Sequence, residues 1–318
     1  MLPGLAGRLA RVTGKIGQGQ SPAHTLFLWT TQPFSGMAQR GAFLCAGSAC
    51  YGYHGNRHAA RRSRSDQAEA LITYCVGILV EDGLVMIADT RTNVGLDNIS
   101  TYRKLNIIEV PGERVLVLAS AGNLSLSQSV VSLLTEGWEN SGTGEIETLR
   151  NASTLFRAAQ LVGRAVRQVR AVEGKAFEEE DLPFNLCFLL GGQITGEPMA
   201  LFMVDRAGNF IRCERDVPFL QIGEHKYGKP ILDRALSYRT DVYDALKIGL
   251  ISMDSTMRSN LAVGLPIDIV VIRPDALEAE VLHRIEVDEP YFHDLRERWS
   301  AALRAAHKGI PRPPYSSV

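Results

Sequence analysis

A chain of 318 residues with 45% hydrophobic and 22% charged side chains has the composition of a globular protein with a sizeable core. Its net charge of −1 excludes the strong basic excess of a dedicated nucleic-acid binder. Five cysteines without a CxxC pair argue against a disulfide scaffold, and no apolar run approaches the ~18 residues of a spanning helix, so the expectation is a soluble cytoplasmic protein without membrane or nucleic-acid partners.

The average charge hides an asymmetry. Residues 1–72 hold eight of the 34 lysines and arginines but only two of the 35 acids, and ten of the 29 glycines. They show no sustained helical or strand period. Arg57, Arg61, Arg62 and Arg64 form a basic cluster with no apolar face, which reads more readily as solvated than as a nucleic-acid-binding arm. Three readings stay open for this extension: an unstructured tail, a propeptide removed on maturation, or a stretch upstream of the true translation start.

From Thr73 the character changes. Residues 74–80 are β-rich, Glu81-Asp82-Gly83 supplies a hairpin turn, and residues 84–89 return as a second strand. A polar stretch, 92–102, leads to a third strand at 104–110. Pro111-Gly112-Glu113 turns it into a fourth at 115–120. Amphipathic helices follow at 124–138 and 152–172, with apolar stripes such as Leu126, Val130, Leu133 and Leu134. Strands resume at 186–190, 200–205, 210–213 and 219–222. Helices at 230–237 and 242–257 precede strands at 267–272 and 281–287, and Pro290 opens a last helix to about residue 306. Residues 307–318 read as a Pro-rich tail. Hairpins and helix pairs segregated in this order predict an α+β fold: two packed antiparallel sheets with helix pairs on both outer faces, in one domain over 73–306.

Three residues carry the chemistry. Thr73 begins the first strand, Asp89 ends the second beside it, and Lys104 opens the third, so all three are expected to converge at one end of one sheet. A threonine hydroxyl needs a base to act as a nucleophile. An α-amino group, with a reference pKa near 8, suits that task if Thr73 is the N-terminal residue. A nearby ammonium from Lys104 would stabilise the developing alkoxide, and Asp89 would orient the lysine. The strand-to-helix turn Ser120-Ala121-Gly122 offers backbone N–H groups for an oxyanion. Cys75 is a rival nucleophile two residues on, but in an apolar strand without a nearby histidine it reads as a buried small hydrophobe. No metal site, P-loop or GxGxxG after a strand is legible, so no cofactor is expected, and any unfolding power would come from a separate ATPase.

At these residues the sequence resembles Anbu, a bacterial proteasome-related family of N-terminal-nucleophile hydrolases akin to the proteasome β subunit and HslV. The motifs are Thr73-Tyr74-Cys75-Val76-Gly77, Ala88-Asp89-Thr90-Arg91-Thr92-Asn93 and Thr101-Tyr102-Arg103-Lys104. They continue through Ser120-Ala121-Gly122-Asn123, Gln221-Ile222-Gly223-Glu224-His225-Lys226-Tyr227-Gly228 and Ser252-Met253-Asp254-Ser255-Thr256-Met257-Arg258-Ser259-Asn260-Leu261. The resemblance covers essentially residues 73–306, and residues 1–72 match nothing in it. It implies the four-layer α-β-β-α sandwich and a peptidase cleaving peptides or unfolded protein inside a self-assembled ring or open spiral. Thr73 would be the nucleophile, Lys104 its activating cation, Asp89 the lysine's partner and Gly122 the oxyanion donor. Asn93 would lie where the substrate backbone is held as an added strand.

The pattern also departs from the proteasome β subunit. Its Gly-Ser-Gly turn stands against Gly223-Glu224-His225 here, and its late Asp and Ser against Ser259 and Ala262, which implies weaker support for the nucleophile. Glu224, His225 and Lys226 could line a site or a subunit contact, but read at least as well as an ordinary charged turn. In Anbu-like proteins the threonine follows the initiator methionine. Here Leu71-Ile72 precede it, and a β-branched Ile72 would crowd self-cleavage. The expectation is therefore translation from the codon read as Ile72. Two other functions fit the same fold: a catalytically weak assembly protein, and a small-molecule amidase.

Overall fold

The computed structural model describes residues 73–93, 99–140 and 142–315. The extension 1–72 and the last three residues of the expected tail lie outside the described residues. In chain order the elements are β1 (Tyr74–Val80), β2 (Gly83–Asp89), β3 (Arg91–Asn93), β4 (Ile99–Thr101), β5 (Leu105–Val110), β6 (Arg114–Gly122) and α1 (Leu124–Glu136). Then come β7 (Trp138–Glu139), β8 (Ile146–Glu147), α2 (Leu155–Glu179), β9 (Leu186–Ile194), β10 (Ala200–Val204), β11 (Phe210–Arg212) and β12 (Phe219–Gly223). The last are α3 (Lys229–Ala235), α4 (Val242–Ser259), β13 (Ile267–Ile272), β14 (Val281–Ile285) and α5 (Pro290–Gly309).

The strands form two five-stranded antiparallel sheets, ordered β12-β1-β2-β13-β14 and β11-β10-β9-β6-β5. The β1–β2 hairpin closes over Glu81-Asp82 and pairs Cys75 with Ala88, which sets which side chains face which way. Tyr74, Val76 and Ile78 pack with Leu232, Leu250, Met253 and Phe292 of α3, α4 and α5. Cys75, Leu84, Met86 and Ala88 point the other way, against Leu105, Val117, Ala119 and Leu189 of the second sheet. On that sheet's far side Leu116, Leu118 and Phe188 meet Leu126, Val130, Leu161 and Val166 of α1 and α2. Each fully buried large apolar side chain contributes about 1.5–3 kcal/mol, so the continuous apolar runs of β1, β2 and β6 stabilise two interfaces at once.

Side-chain caps fix the helix starts. Asn123 Oδ1 accepts from the Ser125 and Leu126 N–H groups at 2.9 and 3.3 Å, so α1 begins immediately after β6 ends at Gly122. Thr154 Oγ1 accepts from the Arg157 N–H at 2.9 Å and opens α2. Among the described residues no helix is long and apolar enough to cross a membrane.

Two expectations change. The polar stretch after Asp89 contains a second hairpin, β3–β4, with Arg91 opposite Thr101 and Asn93 opposite Ile99. Lys104 precedes β5, which belongs to the second sheet, so it does not share a sheet with Thr73 and Asp89. The Lys104–Asp89 ion pair therefore bridges the two sheets, rather than lying at one end of one sheet. The hairpin is the reason: it carries the chain out and back, and the Tyr102 N–H closes it on the Thr90 carbonyl at 2.8 Å.

Candidate active site

Thr73 stands one residue ahead of β1 and is 5% exposed. Two positions before Cys75, it continues the face of β1 that looks into the gap between the sheets. Its carbonyl accepts from the Glu224 N–H at 2.7 Å, which extends the β1–β12 pairing by one step beyond Tyr74 and Gly223. Gly223 has φ +82°, and a side-chain carbon there would lie 1.9 Å from the Thr73 oxygen. Only glycine lets β12 approach Thr73 this closely.

Asp89, fully buried at the end of β2, ties the site together. Its Oδ1 accepts from the Tyr74 N–H at 3.0 Å and from the Lys104 ammonium at 2.9 Å. The peptide N–H that follows Thr73 and the lysine cation thus share one carboxylate oxygen. Lys104, 5% exposed, also donates to the Arg91 carbonyl at 2.7 Å. Its main chain is anchored on the other sheet, where its carbonyl accepts from the Ser120 N–H at 3.1 Å. Two of the three ammonium protons are committed by these bonds, leaving one for another acceptor.

Burial pushes the Asp89 carboxyl up to about 6, against the Lys104 charge and the Tyr74 and Gly264 backbone N–H groups, which pull it down. Asp89 Oδ2 has no hydrogen-bond partner among the described residues. A buried acid with a raised pKa favours its protonated form in the fold. This group therefore favours the folded state most below about pH 4, and progressively less as pH rises to about 6. The ionised Asp89–Lys104 pair is complete only above about pH 6. Any activity that depends on the pair is expected to fall on acidification through pH 6 without a parallel loss of melting temperature from this group. Matched pH–rate and thermal-melting series check this. An activity flat from pH 8 to pH 5 contradicts it.

Gly122 closes β6. It is the exposed end of an otherwise buried strand, has φ +113°, and a side-chain carbon there would lie 2.2 Å from the Asn185 oxygen. The Asn123 N–H points to β9, bonding Asn185 at 2.9 Å, and the Ser120 N–H points to Lys104. Alternation along an antiparallel strand then turns the Gly122 N–H to the Lys104 side, beyond the start of β5. The Cys75 thiol reaches the Ser120 carbonyl at 3.6 Å, so the start of β1, next to Thr73, packs against the end of β6, next to Gly122. Cys75 is fully buried, and desolvation pushes its thiol up, which keeps it protonated.

Asn93 sits on the β3–β4 hairpin, two residues past the Arg91 carbonyl that holds Lys104. Glu224, which the sequence leaves between a site or subunit contact and an ordinary charged turn, is buried beside Thr73, and Asn260 joins it without having been singled out by the sequence. Glu224 is 7% exposed and its Oε2 accepts from Asn260 Nδ2 at 3.3 Å. Ser259 is exposed at the end of α4, and Ala262 donates its N–H to Asn260 Oδ1 at 3.0 Å, so Asn260 is the residue of this segment that reaches Glu224. The signal was the glycine before Glu224: a Gly-Glu step after a strand can place the acid opposite the neighbouring strand's first residue.

No protein-family model and no curated protein matches the chain. Solved structures do. Anbu from Hyphomicrobium sp. strain MC1 is 47% identical, with 76% of this chain and 99% of that chain covered at a TM-score of 0.69. Anbu from Yersinia bercovieri, described as an ancestral beta-subunit, is 44% identical over 77% of this chain and all of that one, at a TM-score of 0.70. The Anbu complex of Pseudomonas aeruginosa, solved as a helical assembly, is 44% identical over 76% of this chain and 99% of that chain, also at 0.70.

Proposed function

Because the chain belongs to the Anbu family of proteasome-like β-subunit relatives, we propose that it is a threonine-type peptidase whose nucleophile is Thr73, exposed as the N-terminal residue of the mature chain. The three apolar layers then correspond to the four-layer α-β-β-α sandwich of N-terminal-nucleophile hydrolases. One observation carries the reading: the first peptide of β1 and a buried lysine meet on a single oxygen of Asp89. A strand-start threonine with only a structural role has no need of that arrangement.

The Thr73 α-amine takes the hydroxyl proton as Oγ1 attacks the substrate carbonyl carbon. The Lys104 ammonium stabilises the alkoxide as it forms, and Asp89 with the Arg91 carbonyl holds that ammonium in place. The Gly122 N–H receives the oxyanion, an interaction worth about 10²–10³ in rate where such donors have been removed. Collapse expels the leaving amine, which takes the proton from the α-ammonium. Water, deprotonated by the same amine, then hydrolyses the Thr73 ester. Asn93, on the hairpin beside the site, holds the substrate as an added strand.

The relatives are covered almost completely, while about a quarter of this chain has no counterpart in them. That share has the size of the extension 1–72, which fits a removed propeptide as well as a stretch upstream of the true start. The helical assembly of the Pseudomonas aeruginosa relative supports self-association into a ring or open spiral. A peptide carrying a carbonyl-directed electrophile tests the reading. Tandem mass spectrometry should place its adduct on Thr73, and Thr73→Ala should abolish it. An adduct on Cys75 would move the nucleophile, and no adduct at all would favour a weakly catalytic assembly protein.

A further inference from the structure

The carboxylate of Glu224 is used by none of these steps. It is buried, yet its Oε1 has no hydrogen-bond partner among the described residues. The Lys226 ammonium stands 3.9 Å from it on a side chain that is 71% exposed. A buried carboxylate oxygen without a donor is costly, and its presence calls for one. The β1–β12 register puts Glu224 directly opposite Thr73, and opposed residues project from the same face, here the gap between the sheets. The Tyr74 N–H points to β2, where Asp89 takes it. Alternation then turns the Thr73 nitrogen to the β12 side, where the Glu224 N–H already meets the Thr73 carbonyl.

We propose that Glu224 is a positioning residue: its Oε1 accepts a hydrogen bond from the free α-amino group of mature Thr73 and turns that group's lone pair toward the hydroxyl. The proposal rests on the reading of Thr73 as the mature N-terminus. Gly223, with its positive φ, brings the acid this close, and Asn260 Nδ2 holds the other oxygen. Glu224 thereby occupies the place of the serine that proteasome β subunits carry in this turn. The other charges around the site are Asp89 of β2, Lys104 before β5, Arg91 of β3 and Lys226 beyond β12. Arg91 donates to the Leu261 carbonyl at 2.9 Å, and the Asp89 and Lys104 charges are paired with each other. The Asp89 charge is matched at 2.9 Å by buried Lys104, whereas Glu224 has only the exposed Lys226 at 3.9 Å, so Glu224 is the acid that raises the basicity of the amine.

The test uses the full mature protein, first shown by mass spectrometry to begin at Thr73. The pH dependence of α-amine acylation by a small amine reagent, followed on the N-terminal peptide, gives the amine's midpoint without relying on activity. Glu224→Gln keeps an oxygen for Asn260 and removes the charge. Its midpoint is expected to fall by about one unit, a tenfold change in acidity. kcat should drop while KM changes little, and of the two acid-side inflections the higher one, that of the amine, should move down with the midpoint while the Asp89 inflection near pH 6 stays. Glu224→Asp, which withdraws the carboxylate by one methylene, should show a smaller fall in both, and serves if the glutamine variant does not fold. Unchanged midpoints in the variants overturn the role of Glu224 and leave Thr73 as nucleophile. A parent protein that does not begin at Thr73 overturns both.

Discussion

Thr73→Ala is expected to lower kcat/KM for peptide hydrolysis by about 10⁴–10⁶, the loss found when a nucleophile is removed from a hydrolase site that keeps its other parts. That is roughly 5–8 kcal/mol of transition-state stabilisation. The fold should survive, because Thr73 contributes its carbonyl to β12, and alanine keeps that bond. Thr73→Ser keeps both hydroxyl and amine and should retain most of the activity. Cys75→Ala changes a buried residue of the inter-sheet core and should leave the chemical step intact. If Thr73→Ala stays active while Cys75→Ala does not, the assignment of the nucleophile is wrong.

The second large effect concerns Lys104. Lys104→Met removes the cation from a fully buried carboxylate, and breaking such a pair typically costs about 3–5 kcal/mol. The loss should depend on pH with a definite sign. Without Lys104 the Asp89 carboxyl rises further above about 6, so the variant is least destabilised where the acid is protonated and most destabilised at pH 8. Adding Asp89→Asn should recover much of the stability, since an amide oxygen can still accept the Tyr74 N–H, but none of the activity. Urea unfolding of the two single variants and the double at pH 5 and pH 8 checks this. Equal destabilisation at both pH values contradicts it.

Much of the architecture was legible in the sequence because it rests on local pattern. β13 runs over Ile267–Ile272 as its apolar block predicts, and the Glu81-Asp82-Gly83 turn gave the first hairpin its position. α2 runs seven residues beyond the predicted 152–172, to Glu179. Its last turns hold three glutamates and a glycine, and Phe177 alone of their large side chains packs on the core, which is too little to extend the stripe. The β3–β4 hairpin was hidden in a polar stretch, since a two-stranded ribbon standing off the sheets needs no alternating core face.

Candidate site residues could be nominated from the sequence, but the geometry that brings them together could not be read there. Thr73, Asp89 and Lys104 could be chosen because each stands at a strand end, where side chains leave the ladder and can converge. Which sheet Lys104 joined depended on long-range pairing of β5 with β6 and β9, which no local pattern encodes. Glu224 was hidden by its neighbours: Glu224, His225 and Lys226 together read as a solvated turn. Only the positive φ of Gly223 and the register with Thr73 separate the buried acid from the exposed lysine beside it.

The proposed mechanism requires a free α-amine on Thr73. The most direct test is the N-terminal residue of the protein purified from its native host, read by intact mass and by sequencing of the N-terminal peptide. The account predicts a chain that begins at Thr73. A mature chain that retains Ile72 or any of the residues before it would leave the threonine without its base and contradict the account.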